Sequence, residues 1–313
     1  NLDYFIEETP LGTAGSIKNA SEFLSEPFII LSGDAVTDLD ISACMRFHKQ
    51  KGGGVTMVLK REPSPLSYGV VLLDSEGRVC RFVEKPSWSE VTANTVNTGI
   101  YILEPEILDY IPSERAMDFG KELFPELLRR GVPMYGYITE DYWCDIGDSS
   151  AYFNAHTAFL SGNLKLETPA HDYGNGIFLE EDASVQDIEL LNGPVYIGRH
   201  SRIESGSRIG AYSVIGENCH IENAELQGSI LWDNCVVKPG GILRQAIICD
   251  NVILRQNARI CERAVIGRGA RVGQYATVNA NVRVWANAVV PPESNIKEDL
   301  LYSAGEKLAL GEY

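Results

Sequence analysis

Two aspartates at the ends of predicted strands are the first residues that could do chemistry. Asp34 follows the apolar run 28–31, and Asp145 stands in the apolar segment 143–147. A carboxylate in such surroundings is unfavourable unless it meets a cation or a polar ligand. Mg²⁺ typically takes one or two carboxylates together with substrate phosphates. The pair therefore suggests a Mg²⁺ site, although each aspartate alone would equally suit a helix cap or a turn.

Two polar loops could serve a phosphorylated sugar. Lys85 stands between Glu84 and Pro86 at the end of a predicted strand. It could hold a phosphate as a point charge, or form an exposed ion pair that contributes little. Asn97-Thr98-Gly99 opens another predicted strand and suits either sugar hydroxyls or a turn.

A glycine-containing loop, Leu11-Gly12-Thr13-Ala14-Gly15, precedes a helical pattern over residues 17–24. Glycines before a helix let backbone N–H groups come close to a base or a phosphate. An ordinary N-terminal turn would fit the same residues, so the loop alone does not decide between the two.

The elements that must position these loops alternate between strand and helix patterns. Strands are predicted at 28–31, 55–59, 70–73, 79–83, 100–103 and 133–139, and helices at 40–50, 104–111, 120–130 and 149–160. Such alternation is typical of an α/β domain with a mostly parallel sheet. In such sheets ligands bind at the carboxyl ends of the strands.

A different pattern begins after Gly176. Aliphatic residues recur every six positions over 179–221, 231–243 and 248–290, with a small residue four positions after many of them. A fixed six-residue period indicates a repeat architecture. We predict a parallel β-helix in which each hexad forms one flat side, giving roughly six coils that stack in one dimension.

The amino-acid composition and net charge limit the kinds of molecule that the protein could bind. The chain has 313 residues and a net charge of −16, and residues 1–160 hold 24 acids against 13 bases. This balance argues against nonspecific binding to nucleic acid or anionic membranes. No apolar run approaches the ~18 residues of a membrane span. The seven cysteines lack a C-x-x-C pair and fit free thiols, which predicts a cytoplasmic location.

Six motifs in order resemble the sugar-1-phosphate nucleotidyltransferase family. They are residues 8–15, 31–34, 68–71, 82–86, 97–101 and 143–147. The hexapeptide repeats are similar to that family's left-handed β-helix. The fold implied is a Rossmann-like α/β nucleotidyltransferase followed by this β-helix. The loop at 11–15 most resembles that of mannose-1-phosphate guanylyltransferases.

The resemblance implies a role for each motif. Base and ribose contacts would come from Gly12, Thr13 and Ala14. Mg²⁺ would be held by Asp34 and Asp145, and the sugar phosphate would be neutralised by Lys85. The sugar would be recognised by Gly69, Glu84, Asn97 and Thr98.

The reaction implied is an attack by a sugar-phosphate oxygen on the α-phosphorus of a nucleoside triphosphate, releasing pyrophosphate. Positioning and charge stabilisation would supply the catalysis. We expect GTP and mannose 1-phosphate as substrates, with glucose 1-phosphate and another nucleotide as the alternative.

The family's glycine-rich signature, G-x-G-T-R-L-x-P-L, is missing from the sequence. We therefore expect a nucleotidyltransferase domain at 1–162 that lacks its first segment and is inactive alone. A β-helix would follow at 176–295, with either a tail or the start of a lost C-terminal domain at 296–313. Residues 284–311 also look similar to the junction of fusions that continue into a phosphomannomutase-like domain.

Two other functions compete with this hypothesis. A hexapeptide-repeat acyltransferase would use a histidine on the coil surface, for which His200 and His220 are candidates. A non-catalytic subunit would keep the α/β body for binding. Because an open-ended solenoid must cap or pair its ends, a homo-oligomer formed through the β-helix is expected with any of these functions.

Overall fold

The computed structural model describes residues 2–113 and 115–301. The chain divides into two compact units, one ending at Gly147 and the other beginning at Asp148. The domain limits drawn at 162, 176 and 296 remain predictions. Residues 302–311 of the segment that resembles a fusion junction lie outside the described residues.

The first unit is built around a twisted sheet with short helices. Its strands are β1 (Phe28–Leu31), β2 (Ala35–Thr37), β3 (Val55–Arg61), β4 (Gly69–Leu73), β5 (Val79–Glu84), β6 (Thr95–Leu103), β7 (Met134–Ile138) and β8 (Trp143–Asp145). Its α-helices are α1 (Gly12–Asn19), α2 (Ile41–Lys51) and α3 (Phe124–Arg129). Short 3₁₀-helices lie at Ser21–Phe23, Pro65–Ser67 and Pro105–Tyr110, and a π-helical turn lies at Phe119–Leu123.

The sheet order is β5-β4-β6-β3-β7, with β1 also paired to β6. The prediction of a mostly parallel sheet is wrong for the described strands, since only β3 and β7 run parallel. The short turn at 74–77 forces β4 and β5 to be antiparallel, because parallel partners need a crossover of a dozen residues or more. Strand β6 then runs antiparallel to β1, β3 and β4.

Local sequence signals explain where helix α2 begins and ends. Helix α2 begins after Asp40, whose side chain accepts a hydrogen bond from the Ala43 N–H, and it ends at Gly52 in the left-handed conformation. Strand β1 is half-buried, with Leu31 44% exposed. Among the described strands it pairs with β6 alone, so it lies at a sheet edge.

The second unit is a left-handed parallel β-helix with helix α4 (Ser149–Leu160) before it. Its first side contains Ile177–Leu179, Val195–Ile197, Ser213–Ile215, Ile230–Leu231, Ile247–Ile248, Val265–Ile266 and Arg283–Val284. Its second side contains Ser184–Val185, Arg202–Ile203, His220–Ile221, Val236–Val237, Ile253–Leu254, Arg271–Val272 and Val289–Val290. Its third side contains Arg208–Ile209, Glu225–Gln227, Ile242–Arg244, Arg259–Ile260, Thr277–Val278 and Asn295–Ile296. A short antiparallel strand, His171–Asp172, pairs with the first of these.

The described solenoid has seven turns rather than roughly six, because the repeat is not interrupted at residue 226. Leu226 points inward, pairing with Ile209 on the turn before and Leu243 on the turn after. The two sides that meet at Leu226 advance by five residues instead of six, which hides it from a strict hexad count. It is 1% exposed and belongs to the continuous aliphatic core.

The corners of the solenoid follow from residue type. Many corner residues adopt a left-handed backbone, among them Asn218, Asn234, Asn251, Asn257, Asn281 and Asn287. Asparagine tolerates this conformation better than other residues with a side chain. The small residues predicted beside the corners are fully buried, as Ala258, Ala264 and Ala270 show.

Candidate active site

A cavity of about 370 Å³ opens at one edge of the first unit's sheet. Residues from α1, from the loop after β1, from β6 and from the π-helical turn form its walls. Thr13, Glu84 and Asn97 of the predicted site residues line it, together with Tyr101 and Asp118. Four of the six motifs, those at 8–15, 31–34, 82–86 and 97–101, therefore converge on a single polar cavity.

The Glu84 carboxylate is held between two glycines. A Cβ atom added to Gly69 or to Gly120 would lie 2.8 Å from Glu84 Oε2, and one at Gly69 would also lie 2.7 Å from the Phe82 ring. Gly69 therefore makes room for the acid and for Phe82. Burial raises the pKa of Glu84 and nearby Asp118 adds to the rise, while Lys85 and Lys121 oppose it.

Asn97 is oriented by hydrogen bonds within β6. Its Nδ2 donates to the Tyr101 hydroxyl at 2.7 Å, and its Oδ1 accepts from the Gly99 N–H at 3.1 Å. Gly99 adopts φ +75°, and the β3–β6 register shifts beside it, between Met57 opposite Tyr101 and Leu59 opposite Asn97. Burial raises the pKa of Tyr101, which keeps its hydroxyl protonated as a hydrogen-bonding group.

The glycine-containing loop is pinned to the loop before the π-helical turn. The N–H groups of Ala14 and Gly15 donate to the Met117 carbonyl at 2.9 and 3.2 Å. A Cβ at Gly12 would lie 2.7 Å from the same oxygen, and Ala14 is fully buried. The structure brings Thr13 into the cavity, while Gly12 and Ala14 contact the neighbouring loop.

Asp118 is a cavity residue that the sequence reasoning missed. Its Oδ1 accepts from the N–H groups of Gly120 and Lys121 at 2.9 Å, which caps the π-helical turn. Its Oδ2 accepts from the Thr13 hydroxyl at 3.1 Å, and that hydroxyl accepts from the Phe119 N–H at 3.0 Å. An aspartate directly before a helical pattern was the available signal.

Asp34 and Asp145 are brought together by a two-stranded ribbon. Strands β2 and β8 pair with Ala35 opposite Asp145, and the Ile146 N–H donates to the Asp34 carbonyl at 2.8 Å. Both aspartates are exposed, and Asp34 accepts a hydrogen bond from Ser32, which lines the cavity with Gly33. Two carboxylates beside a polar cavity fit Mg²⁺. Within residues 2–113 and 115–301 no larger cluster of metal-binding side chains occurs, so substrate oxygens or water would complete the shell.

Lys85 lies exposed at the end of β5 with an unusual backbone. Its φ is +44°, and its N–H donates to the Tyr68 carbonyl at 3.1 Å. A left-handed conformation is uncommon for a residue other than glycine and often marks a functional position. It follows Glu84 directly, so its ammonium stands at the end of the strand that carries the buried acid.

The remaining predicted residues lie elsewhere. Thr98 is 2% exposed and donates to the Val58 carbonyl at 2.8 Å, so it does not face the cavity. His220 contacts Glu204 at 3.1 Å and Glu222 at 3.5 Å, and His200 lies 3.7 Å from Asp182. Both histidines lie on the surface of the solenoid beside carboxylates.

Comparison with known proteins agrees with this geometry. The family model described as nucleotidyl transferase matches residues 1–162, and the model of the EIF2B subunit epsilon LbH domain matches residues 174–278. The first match covers more than half of the chain. The chain thus belongs to the sugar-1-phosphate nucleotidyltransferase family, and it carries the left-handed β-helix.

Individual relatives differ in the substrates in their names. A UTP–glucose-1-phosphate uridylyltransferase from Synechocystis sp. is 37% identical over 76% of this chain and 63% of its own length. Mannose-1-phosphate guanylyltransferase 1 from Arabidopsis thaliana is 31% identical over 79% of this chain and 70% of its own length. A crystal structure of HddC from Yersinia pseudotuberculosis complexed with GMP-PN is 26% identical, with a TM-score of 0.43, over 50% of this chain and 66% of that one. The chain thus spans under two thirds of the Synechocystis relative.

Proposed function

We propose that the protein transfers a nucleotidyl group from a nucleoside triphosphate to a sugar 1-phosphate, forming a nucleoside diphosphate sugar and pyrophosphate. The observation that carries this proposal is the pairing of β2 with β8. It sets Asp34 and Asp145 side by side at the loop that lines the polar cavity.

Each side chain has a task in this reaction. The Glu84 carboxylate accepts hydrogen bonds from sugar hydroxyls, and the Asn97 side-chain amide donates hydrogen bonds to them. Thr13 faces the nucleotide. The Lys85 ammonium acts as a compact point charge that neutralises the sugar phosphate. Asp34 and Asp145 would hold Mg²⁺, which when bound offsets the charge of the facing phosphates.

The chemical step needs no covalent intermediate. An oxygen of the sugar phosphate bonds to the α-phosphorus as the bond from that phosphorus to the β-phosphate oxygen breaks. The electron pair leaves with pyrophosphate. Because the attacking oxygen is already anionic, no general base is required, and the protein contributes alignment and charge stabilisation.

For the substrates we propose GTP and mannose 1-phosphate, on the resemblance of the loop at 11–15 and the 31% identity with the Arabidopsis thaliana guanylyltransferase. UTP and glucose 1-phosphate form the second pair, favoured by the 37% identity with the Synechocystis uridylyltransferase. All seven cysteines are free thiols, which supports a proposed cytoplasmic location. None of the described helices is long and apolar enough to cross a bilayer. Assembly through the solenoid stays a prediction.

The proposal is tested by measuring pyrophosphate release from the protein expressed from its complete reading frame, against a panel of nucleoside triphosphates and sugar 1-phosphates. We expect one pair to be turned over. Lys85→Ala should raise the KM for the sugar phosphate about tenfold or more, the effect of losing one charge-assisted contact. Lys49→Ala, at an exposed position of α2, is the matched control. Absence of pyrophosphate with every pair would contradict the proposal.

A further inference from the structure

The charge of the solenoid changes sign along its length. Residues 161–235 contain four Lys and Arg against twelve Asp and Glu, whereas residues 236–292 contain eight against two. The later turns are therefore strongly basic in a chain whose net charge is −16. A single-sign field of this kind attracts anions.

An open groove of about 610 Å³ lies on these basic turns. Lys238, Arg255 and Arg271 line it, and none of the described lining residues is acidic. We call this groove, defined by those three cations, the cationic groove. It belongs wholly to the second unit and is separate from the cavity that contains Glu84.

The stacked turns build the cationic groove in a simple way. The Lys238 N–H donates to the Leu254 carbonyl, and the Arg255 N–H donates to the Val272 carbonyl. Lys238, Arg255 and Gly273 therefore occupy the same position on three successive turns, about 4.8 Å apart. A Cβ at Gly273 would lie 2.4 Å from the Pro292 nitrogen. This position must stay without a side chain, which leaves the space beside Arg255 open.

The two guanidinium groups have no carboxylate partner. In residues 2–113 and 115–301, neither Arg255 nor Arg271 forms an ion pair or a side-chain hydrogen bond, whereas Lys238 pairs with Glu222. The like charges of these two diagonal neighbours repel one another. An anion between the two arginines would remove this repulsion, and planar guanidinium groups bind phosphate bidentately.

We propose that the cationic groove binds a small molecule with two linked phosphate groups, of the nucleoside diphosphate class. Arg255 and Arg271 lie diagonally on adjacent turns, since Arg271 is opposite Ile253 in register, so each guanidinium can hold one of two linked phosphoryl groups. Gln256 and Gln274 on the wall can hydrogen-bond a base, and Val289, 45% exposed, offers apolar surface beside Pro292. This site is independent of nucleotidyl transfer.

The test is calorimetric titration of the full chain with inorganic pyrophosphate, ADP and glucose 1-phosphate at physiological salt. Pyrophosphate and ADP should compete for a site that the variant Arg255→Ala/Arg271→Ala lacks. That variant should weaken binding by about tenfold or more per arginine. Glucose 1-phosphate, with one phosphate, should bind there at least about tenfold more weakly than pyrophosphate.

Arg259→Ala is the matched control, because Arg259 is exposed on the third side of the solenoid and pairs in register with Ile242 and Thr277. It should leave the affinity unchanged. Equal losses in Arg259→Ala and in the double variant would show a diffuse field rather than a site. Unchanged binding in the double variant would also overturn the proposal, whether or not nucleotidyl transfer is observed. Unaltered circular dichroism should confirm that each variant is folded.

Discussion

At the scale of single residues, the most informative group in the cavity is a carboxylate whose ionised form is disfavoured by burial. Glu84 is half-buried between Gly69 and Gly120, and burial together with Asp118 raises its pKa. In the proposed function this acid accepts hydrogen bonds from a sugar in the cavity that it lines. Its ionised form is also disfavoured by folding, which gives a signature that can be measured without substrate.

We predict that Glu84→Gln stabilises the fold more at pH 8 than at pH 4. A carboxyl whose folded pKa is raised stabilises the protein fully below its unfolded pKa, and this stabilisation is lost as pH rises through the folded pKa. Glutamine does not titrate, so the variant should gain melting temperature relative to the native chain as pH increases. Thermal melts at both pH values check this.

Glu106→Gln, at an exposed position, is the control for that comparison, because it makes the same chemical change outside the cavity. A melting-temperature difference for Glu84→Gln that stays constant or shrinks between pH 4 and pH 8 would contradict the raised pKa.

A second residue-scale prediction concerns the metal. Asp145→Asn should weaken Mn²⁺ binding in the presence of nucleoside triphosphate by about tenfold or more, because one of two carboxylates is lost. Electron paramagnetic resonance of free Mn²⁺ measures the affinity. Asp109→Asn, exposed on the Pro105–Tyr110 turn, changes the same charge and should bind as the native chain does. Equal affinity in all three proteins would remove Asp145 from the metal site.

At the scale of elements, Leu226 is the most informative position. We predict that Leu226→Ala lowers the free energy of unfolding by about 2–5 kcal/mol, as expected for a fully buried leucine. Leu166→Ala, where the side chain is 47% exposed, should change it by about 0.5 kcal/mol or less. Urea denaturation distinguishes them. A small effect of Leu226→Ala would show that the side chain is not part of the core.

Much of this organisation could be predicted because local patterns carry it. The six-residue period gave the β-helix, and apolar runs gave β1, β3 and the β4–β5 hairpin. The positions of Asp34 and Asp145 at strand ends suggested that they lie close together, which the pairing of β2 with β8 bears out, and their role in metal binding stays a prediction. In each of these features, residues close together in the sequence determine the local structure.

What could not be predicted depends on residues far apart in sequence. The direction of β6 relative to β3 is set by its partners on both sides, and strand patterns do not encode it. Asp118 enters the cavity because Thr13, over a hundred residues away, bonds to it. The five-residue steps around Leu226 preserve stacking with Ile209 and Leu243, and a fixed hexad count excludes them.

At the scale of the whole molecule, the negative charge is concentrated in the part of the chain that is proposed to bind anionic substrates. Both proposed ligands of the first unit are anionic, yet residues 1–160 are strongly acidic. Local cations resolve this, since Lys85 and Lys121 act on Glu84 and the paired aspartates would recruit a divalent ion. The later solenoid turns contain the concentrated positive charge, and it is there that a second anionic ligand is inferred.

The central claim is that this chain aligns a sugar phosphate with the α-phosphorus of a nucleoside triphosphate. The most direct test measures which product contains the radioactive label. GTP or UTP labelled with ³²P at the α-phosphorus is incubated with mannose 1-phosphate or glucose 1-phosphate, Mg²⁺ and the protein expressed from its complete reading frame. We predict label in a nucleoside diphosphate sugar and unlabelled pyrophosphate, both abolished by EDTA or by Asp145→Asn. Label that remains in the nucleoside triphosphate, or appears in a product lacking the sugar, would contradict the account.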